Sequence, residues 1–158
     1  MTLQMPLYDL ISPDAILPHL QAATKKQALQ DMSDRAGLVS GLPSREIFDT
    51  LLQRERLGAT GVGSGIAIPH GKMTKARHIF GVFAKLDRPI EFDSPDNVPV
   101  DLIFMIIAPE TAGADHLKAL SRIARVLRDP GLTAKMRNAR DAASLYALMS
   151  IGATSNAA

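Results

Sequence analysis

Val98-Pro99-Val100-Asp101-Leu102-Ile103-Phe104-Met105-Ile106-Ile107-Ala108 ends in the longest unbroken apolar run of the chain, Leu102 to Ala108. The run is far short of the ~20 residues that a helix needs to cross a bilayer. It lacks the apolar and polar alternation of a half-solvated strand, and it reads as a strand buried on both faces by helices. Working outward, Pro109-Glu110 closes it. After the Gly113 loop, Leu117, Leu120, Ile123, Ala124 and Leu127 recur at helical spacing, with Asp115 and His116 in the first turn. Asp129-Pro130-Gly131 breaks that helix, a short segment spans Leu132 to Asn138, and Asp141 caps a last helix through Leu145, Leu148 and Met149. Upstream, Ile79 to Leu86 reads as a second strand, followed by a polar connection from Arg88-Pro89-Ile90 through Asp96.

Nearer the start, Leu7, Leu10, Ile11, Ile16 and Leu17 are interrupted by Pro13 and Pro18, which predicts a turn of helix and then a short extended piece. Thr24 with Gln27 is a capping-box pattern, and Ala28, Leu29, Met32 and Ala36 continue a helix up to Gly37. Leu42-Pro43-Ser44 opens another, with Ile47, Phe48, Leu51 and Leu52 on one face and the charged run Arg54-Glu55-Arg56 before Gly58. Helices interleaved with strands around one fully apolar strand predict an α/β fold: a single domain over residues 1–151, its central sheet flanked by helices on both faces. Residues 152–158 are expected to be a flexible tail.

Composition narrows the chemistry. The 158 residues contain no cysteine, which removes disulfides, thiolate metal sites and cysteine nucleophiles. The lack of cysteine and of a visible signal peptide leads us to expect a cytoplasmic protein. With 18 basic and 16 acidic side chains, a net charge of +2 gives no reason to expect a nucleic-acid partner.

The chemistry-bearing stretch is Gly58-Ala59-Thr60-Gly61-Val62-Gly63-Ser64-Gly65-Ile66-Ala67-Ile68-Pro69-His70-Gly71-Lys72, which holds five of the eleven glycines. Three familiar motifs fail on spacing. A P-loop needs Ser or Thr after Gly71-Lys72, where Met73 stands, and Gly where Ile66 stands. The dinucleotide fingerprint fails because Gly61-Val62-Gly63-Ser64 continues to Gly65 and Ile66 without a preceding apolar strand. The hydrolase elbow fails because the glycines flanking Ser64 are adjacent to it.

What survives is a glycine-rich loop delivering a histidine. Pro69 and Gly71 place His70 at the end of a short extended segment. A neutral imidazole is a nucleophile able to attack phosphorus, and glycine-loop amides suit phosphoryl oxygens. General base catalysis is the rival, and the nearest acidic residues in the sequence are Glu55 and Asp87. His116, in the loop and helix start after a strand, is placed to share one edge with His70. His19 and His78 lack both contexts. Zinc on His70, His78 and His116 has against it the lack of an i,i+4 histidine pair and of cysteine, so neither metal nor cofactor is expected. Lys118, Arg122 and Arg125 form a basic stripe of the kind that is ordinarily solvated.

Arg54 to Lys72 as a whole closely resembles the signature of the enzyme IIA proteins of the fructose/mannitol class in the bacterial phosphoenolpyruvate phosphotransferase system. The likeness extends to Leu10-Ile11-Ser12-Pro13, Lys25-Lys26-Gln27-Ala28-Leu29, Val100-Asp101-Leu102-Ile103-Phe104, Ala108-Pro109-Glu110 and Asp115-His116-Leu117-Lys118-Ala119-Leu120. Ala59 departs from it, standing where Ser is more usual. The resemblance implies a mixed sheet and a phosphoryl group taken by His70 on Nε2, as tele-phosphohistidine, from an HPr-like phosphocarrier protein. It implies that His116 hydrogen-bonds that group and that Arg54 stabilises its charge. Transport members pass the group to a IIB cysteine and on to a sugar. This chain, with no cysteine and no appended IIB or membrane domain, resembles the stand-alone nitrogen-regulatory branch, whose phosphorylation state governs binding to partners such as potassium transporters and sensor kinases. A sugar-specific IIA subunit and a non-covalent anion-binding module are the alternatives.

Overall fold

A computed structural model describes residues 7–151. The expected tail at 152–158 lies outside them.

Among the described residues, six strands form one mixed sheet: β1 (Ile16–Leu20), β2 (Gly61–Gly63), β3 (Ile66–Ala67), β4 (His70–Met73), β5 (Phe80–Ile90) and β6 (Val100–Pro109). Five α-helices among the same residues accompany it: α1 (Lys25–Ser40), α2 (Ser44–Leu57), α3 (Ala114–Leu127), α4 (Pro130–Asn138) and α5 (Ala142–Ile151). The spatial order is β1-β5-β6-β3-β2, and β4 also pairs with β6. The apolar stretch is therefore the central strand. Its residues Leu102 to Ala108 are all fully buried. Successive side chains of a strand point to opposite faces, so both faces of the sheet are covered by packed helices.

One edge of β6 pairs antiparallel with β5. The other carries β3 opposite Leu102 and Ile103, then β4 opposite Ile106 to Pro109, both parallel. Residues 66–73 thus form one strand broken at Ile68-Pro69. Proline fits this break because its missing N–H is not needed there, while its carbonyl accepts a hydrogen bond from Ile106 N–H at 2.9 Å.

Several expectations shift in detail. The Thr24 cap forms, with the Gln27 N–H donating to its hydroxyl at 3.1 Å, but α1 passes through Gly37 and ends at Gly41, whose φ is +79°. Gly37 serves close packing instead, since a Cβ there would lie 3.1 Å from the Leu42 carbonyl and from Ser44 Cβ. Strand β5 continues through Pro89 to Ile90, which pairs with Val100 across an irregularity. Pro18 is accommodated in β1, at the edge of the sheet.

Candidate functional site

The glycine-rich stretch folds as a hairpin, β2 against β3, followed by the break and then β4. His70 is the first residue of β4, so it opens a strand rather than closing one. Gly71 is buried behind it, facing Thr50 of α2. The imidazole Nδ1 lies 2.9 Å from the Ile68 carbonyl. A carbonyl only accepts, so Nδ1 carries the proton and the neutral ring keeps its lone pair on Nε2.

His116 arrives from the other direction, after β6, as the third residue of α3. The two rings stand 5.5 Å apart between centroids, tilted by 52°. The buried stripe of α3 includes His116, Ala119, Ile123, Val126 and Leu127. The helix is thus rotated from the face expected from Leu117 and Leu120: Leu117 is 68% exposed, and His116, at 5%, takes the inward place. Its Nδ1 is buried and, among the described residues, has no hydrogen-bond partner. A buried polar atom without a partner, in a ring next to that of His70, calls for a functional account.

Both imidazoles are pushed below their ordinary value of 6.5. Burial is the main cause for each. For His70, Arg54 adds to the depression, and the Ile68 carbonyl and Glu55 oppose it. For His116, the neighbouring His70 and Lys72 add to it. Near neutral pH both rings are therefore uncharged, as a nitrogen nucleophile requires. Arg54 lies in the last turn of α2, where its guanidinium donates to the Gly58 carbonyl at 2.9 Å. That contact closes the helix C-terminus and holds a fixed positive charge beside the hairpin.

The structure thus brings together His70, His116 and the charge of Arg54. His19 is engaged elsewhere, its Nδ1 3.2 Å from Asp87 and its Nε2 2.6 Å from the Arg140 carbonyl. His78 is exposed beside Phe80. In the basic stripe, Arg122 makes a bidentate pair with Asp9, at 2.5 and 3.0 Å. No cluster of three or more His, Cys, Asp or Glu among the described residues is placed to hold a metal ion. None of their helices is long and apolar enough to cross a membrane.

One burial near the site differs from the sequence pattern. Glu55 stands in a charged run, yet it lies four residues after Leu51 and eight after Ile47, on the buried stripe of α2. That spacing was the available signal.

The sequence matches the family model described as phosphoenolpyruvate-dependent sugar phosphotransferase system, EIIA 2, over residues 9–151. It is 55% identical over 147 residues to a nitrogen regulatory protein of Bradyrhizobium diazoefficiens, covering 93% of this chain and 96% of the relative. A fructose-specific EIIA component of Haloferax volcanii is 37% identical over 118 residues, covering 74% and 77%. The crystal structure of the nitrogen regulatory protein IIA-Ntr from Neisseria meningitidis superposes with a TM-score of 0.86 at 29% identity, covering 90% of this chain and 98% of the other.

Proposed function

Because the chain belongs to the EIIA 2 family of the phosphoenolpyruvate-dependent sugar phosphotransferase system, we propose that it is a phosphocarrier of the nitrogen-regulatory branch. It accepts a phosphoryl group on Nε2 of His70 from an HPr-like phosphohistidine carrier and binds target proteins according to its phosphorylation state. The observation that carries this reading is the pairing of two neutral histidines 5.5 Å apart, one with Nδ1 tied to the Ile68 carbonyl and Nε2 left free.

The chemistry follows from the tautomer. The Nε2 lone pair attacks phosphorus, a P–N bond forms to His70, and the P–N bond to the carrier imidazole breaks with its electron pair returning to that ring. His70 keeps its Nδ1 proton throughout. The ring becomes cationic, so its hydrogen bond to the Ile68 carbonyl strengthens as transfer proceeds. His116, whose ring stands beside that of His70, donates a ring N–H to a phosphoryl oxygen, and Arg54 offsets the charge that builds up. The N-terminus of α3, which carries His116, adds the positive end of its dipole. Such a transfer is positioning and charge stabilisation, with no demand for a cofactor.

The phosphoryl group brings roughly two negative charges, about half offset by the cationic ring, so the surface around His70 gains net negative charge that favours some partners and repels others. The targets proposed are proteins of nitrogen and potassium metabolism, potassium transporters and sensor kinases among them, with the cytoplasm as the compartment. The test is incubation with phosphoenolpyruvate, enzyme I and the HPr-like carrier, then mass spectrometry under alkaline conditions. An acid-labile phosphate on His70, absent in His70→Ala, is expected. Folded protein that takes no label would reject the reading.

The similarity to the fructose-specific component favours a second reading, a sugar-transport subunit. Rapid onward transfer from phosphorylated protein to a IIB cysteine would select it.

A further inference from the structure

Glu55 is a carboxylate buried to 8% exposure, and the transfer chemistry above makes no use of it. Its surroundings are specific. Oε1 accepts hydrogen bonds from the Lys25 ammonium at 2.7 Å and from the Thr60 N–H at 3.1 Å, and Oε2 accepts one from the Thr60 hydroxyl. Lys25 is the first residue of α1. Its ammonium also stands 4.7 Å from the centre of the Phe92 ring and 3.7 Å from Asp93. The ion pair therefore joins α1, α2 and the connection after β5 to the start of the glycine hairpin.

From Thr60 the connection runs on to the reacting ring. The Thr60 carbonyl accepts from Ile68 N–H at 3.0 Å, and the Ile68 carbonyl accepts from His70 Nδ1 at 2.9 Å. An unbroken series of hydrogen bonds thus leads from Lys25 through Glu55, Thr60 and Ile68 to the imidazole. Burying an ion pair is often no more stabilising than packing apolar groups of the same size, so stability alone gives weak reason for a glutamate here. What the carboxylate supplies is two fixed acceptors at the one residue, Thr60, whose carbonyl anchors the N–H of Ile68, the residue whose own carbonyl holds His70.

Resting on the phosphocarrier reading, we propose that Glu55, neutralised by Lys25, is the positioning residue of the phosphoryl acceptor: it fixes Thr60, and through Ile68, held at its N–H by Thr60 and holding His70 at its carbonyl, the orientation and tautomer of His70. Lys25 has a second task. Without it, the Glu55 carboxylate would oppose the phosphoryl dianion arriving at His70.

The full-length protein is compared with Glu55→Gln, Lys25→Met and Thr60→Val, with Thr60→Ser as the conservative variant. Single-turnover transfer from the phosphorylated carrier gives a limiting rate and a half-saturating carrier concentration. Imidazole ¹⁵N spectra give the tautomer of His70. The limiting rate is expected to fall about 10- to 100-fold in Glu55→Gln and Thr60→Val, the scale of a slightly misplaced nucleophile, with half-saturation unchanged. His70 is expected to pass from one tautomer to a mixture, and Thr60→Ser to recover what Thr60→Val loses. Should Glu55→Gln fail to fold, Thr60→Val and Lys25→Met carry the test. Active wild type with variants of equal rate and unaltered tautomer would overturn the positioning role alone. Wild type that accepts no phosphoryl group would overturn the phosphocarrier reading, and this one with it.

Discussion

Replacing Gly71 by Ala tests the joint between α2 and β4. Built on the backbone, a Cβ at Gly71 meets Thr50 Cγ2 at 2.6 Å. Carbon–carbon contacts are favourable at about 3.5–4.0 Å, so about 1 Å of overlap must be relieved by moving the helix or the strand. The nearest atom is a β-branched methyl on a helix, where χ1 has little freedom to turn away. Overpacking of this kind costs about 1–3 kcal/mol. For a domain of this size that lowers Tm by about 2–12 °C, at about 2–4 °C per kcal/mol. Thr50→Ser removes the offending methyl and keeps the hydroxyl that donates to the Glu46 carbonyl at 2.7 Å. In that background Gly71→Ala should cost less than about 0.5 kcal/mol, giving a coupling of at least about 0.5 kcal/mol in a double-mutant cycle. Urea unfolding measures the four proteins. Because α2 carries Arg54 and β4 carries His70, phosphoryl transfer should fall in Gly71→Ala and recover in the double variant. Equal costs of Gly71→Ala in the two backgrounds would refute the reasoning.

The pH dependence has a definite sign. Both His70 and His116 titrate below 6.5 in the folded chain, so the unfolded chain binds protons that the native one refuses. Stability should be full above 6.5 and should decline as pH falls from there toward the folded values, read as a urea midpoint dropping between about pH 7 and pH 5. The transfer rate should hold to a pH below 6.5 before Nε2 protonation reduces it; an acid limb beginning above 6.5 would contradict the assignment. Arg137 grips Asp101 through Nε at 2.9 Å and Nη2 at 2.9 Å, and its Nη2 also donates to the Ser64 carbonyl at 2.8 Å. Arg137→Met should cost about 1–3 kcal/mol. Hydrogen exchange should quicken across residues 61–67 and stay unchanged in β5; uniform acceleration would mean a global effect.

Much of this architecture was legible because it rests on local rules. The apolar run at Leu102 to Ala108 is the central strand, and Thr24 does cap α1. What stayed hidden depends on contacts between distant segments. Gly37 looked like a terminator because its role is to admit α2, and nothing local signals that. Strand β5 outruns its sequence signal because pairing of Ile90 with Val100 carries the ladder past Pro89. The rotation of α3 placed a histidine where a leucine was expected. A hydropathy pattern prefers the leucine inside, whereas the fold spends that inward position on a polar ring facing His70. At the candidate site, the meeting of His70 and His116 was legible from their loop and strand-end context. The burial of Glu55 was not, because charge disguised its place on the apolar stripe.

The broken strand along β6 has one further consequence. Residues His70 to Met73 are paired in parallel register with Ile106 to Pro109, and the Pro69 carbonyl is bonded to Ile106. The His70 imidazole therefore rides on a strand bonded to the spine of the sheet, while hinged lids and switch loops ride on backbone that is cheap to displace. A group arriving at its outer nitrogen meets a scaffold too stiff to convert the event into backbone movement. Under the proposed function, the molecule would act as a painted sign and not as a lever: with its outline held by the sheet, a partner must read the mark at the spot where it is written.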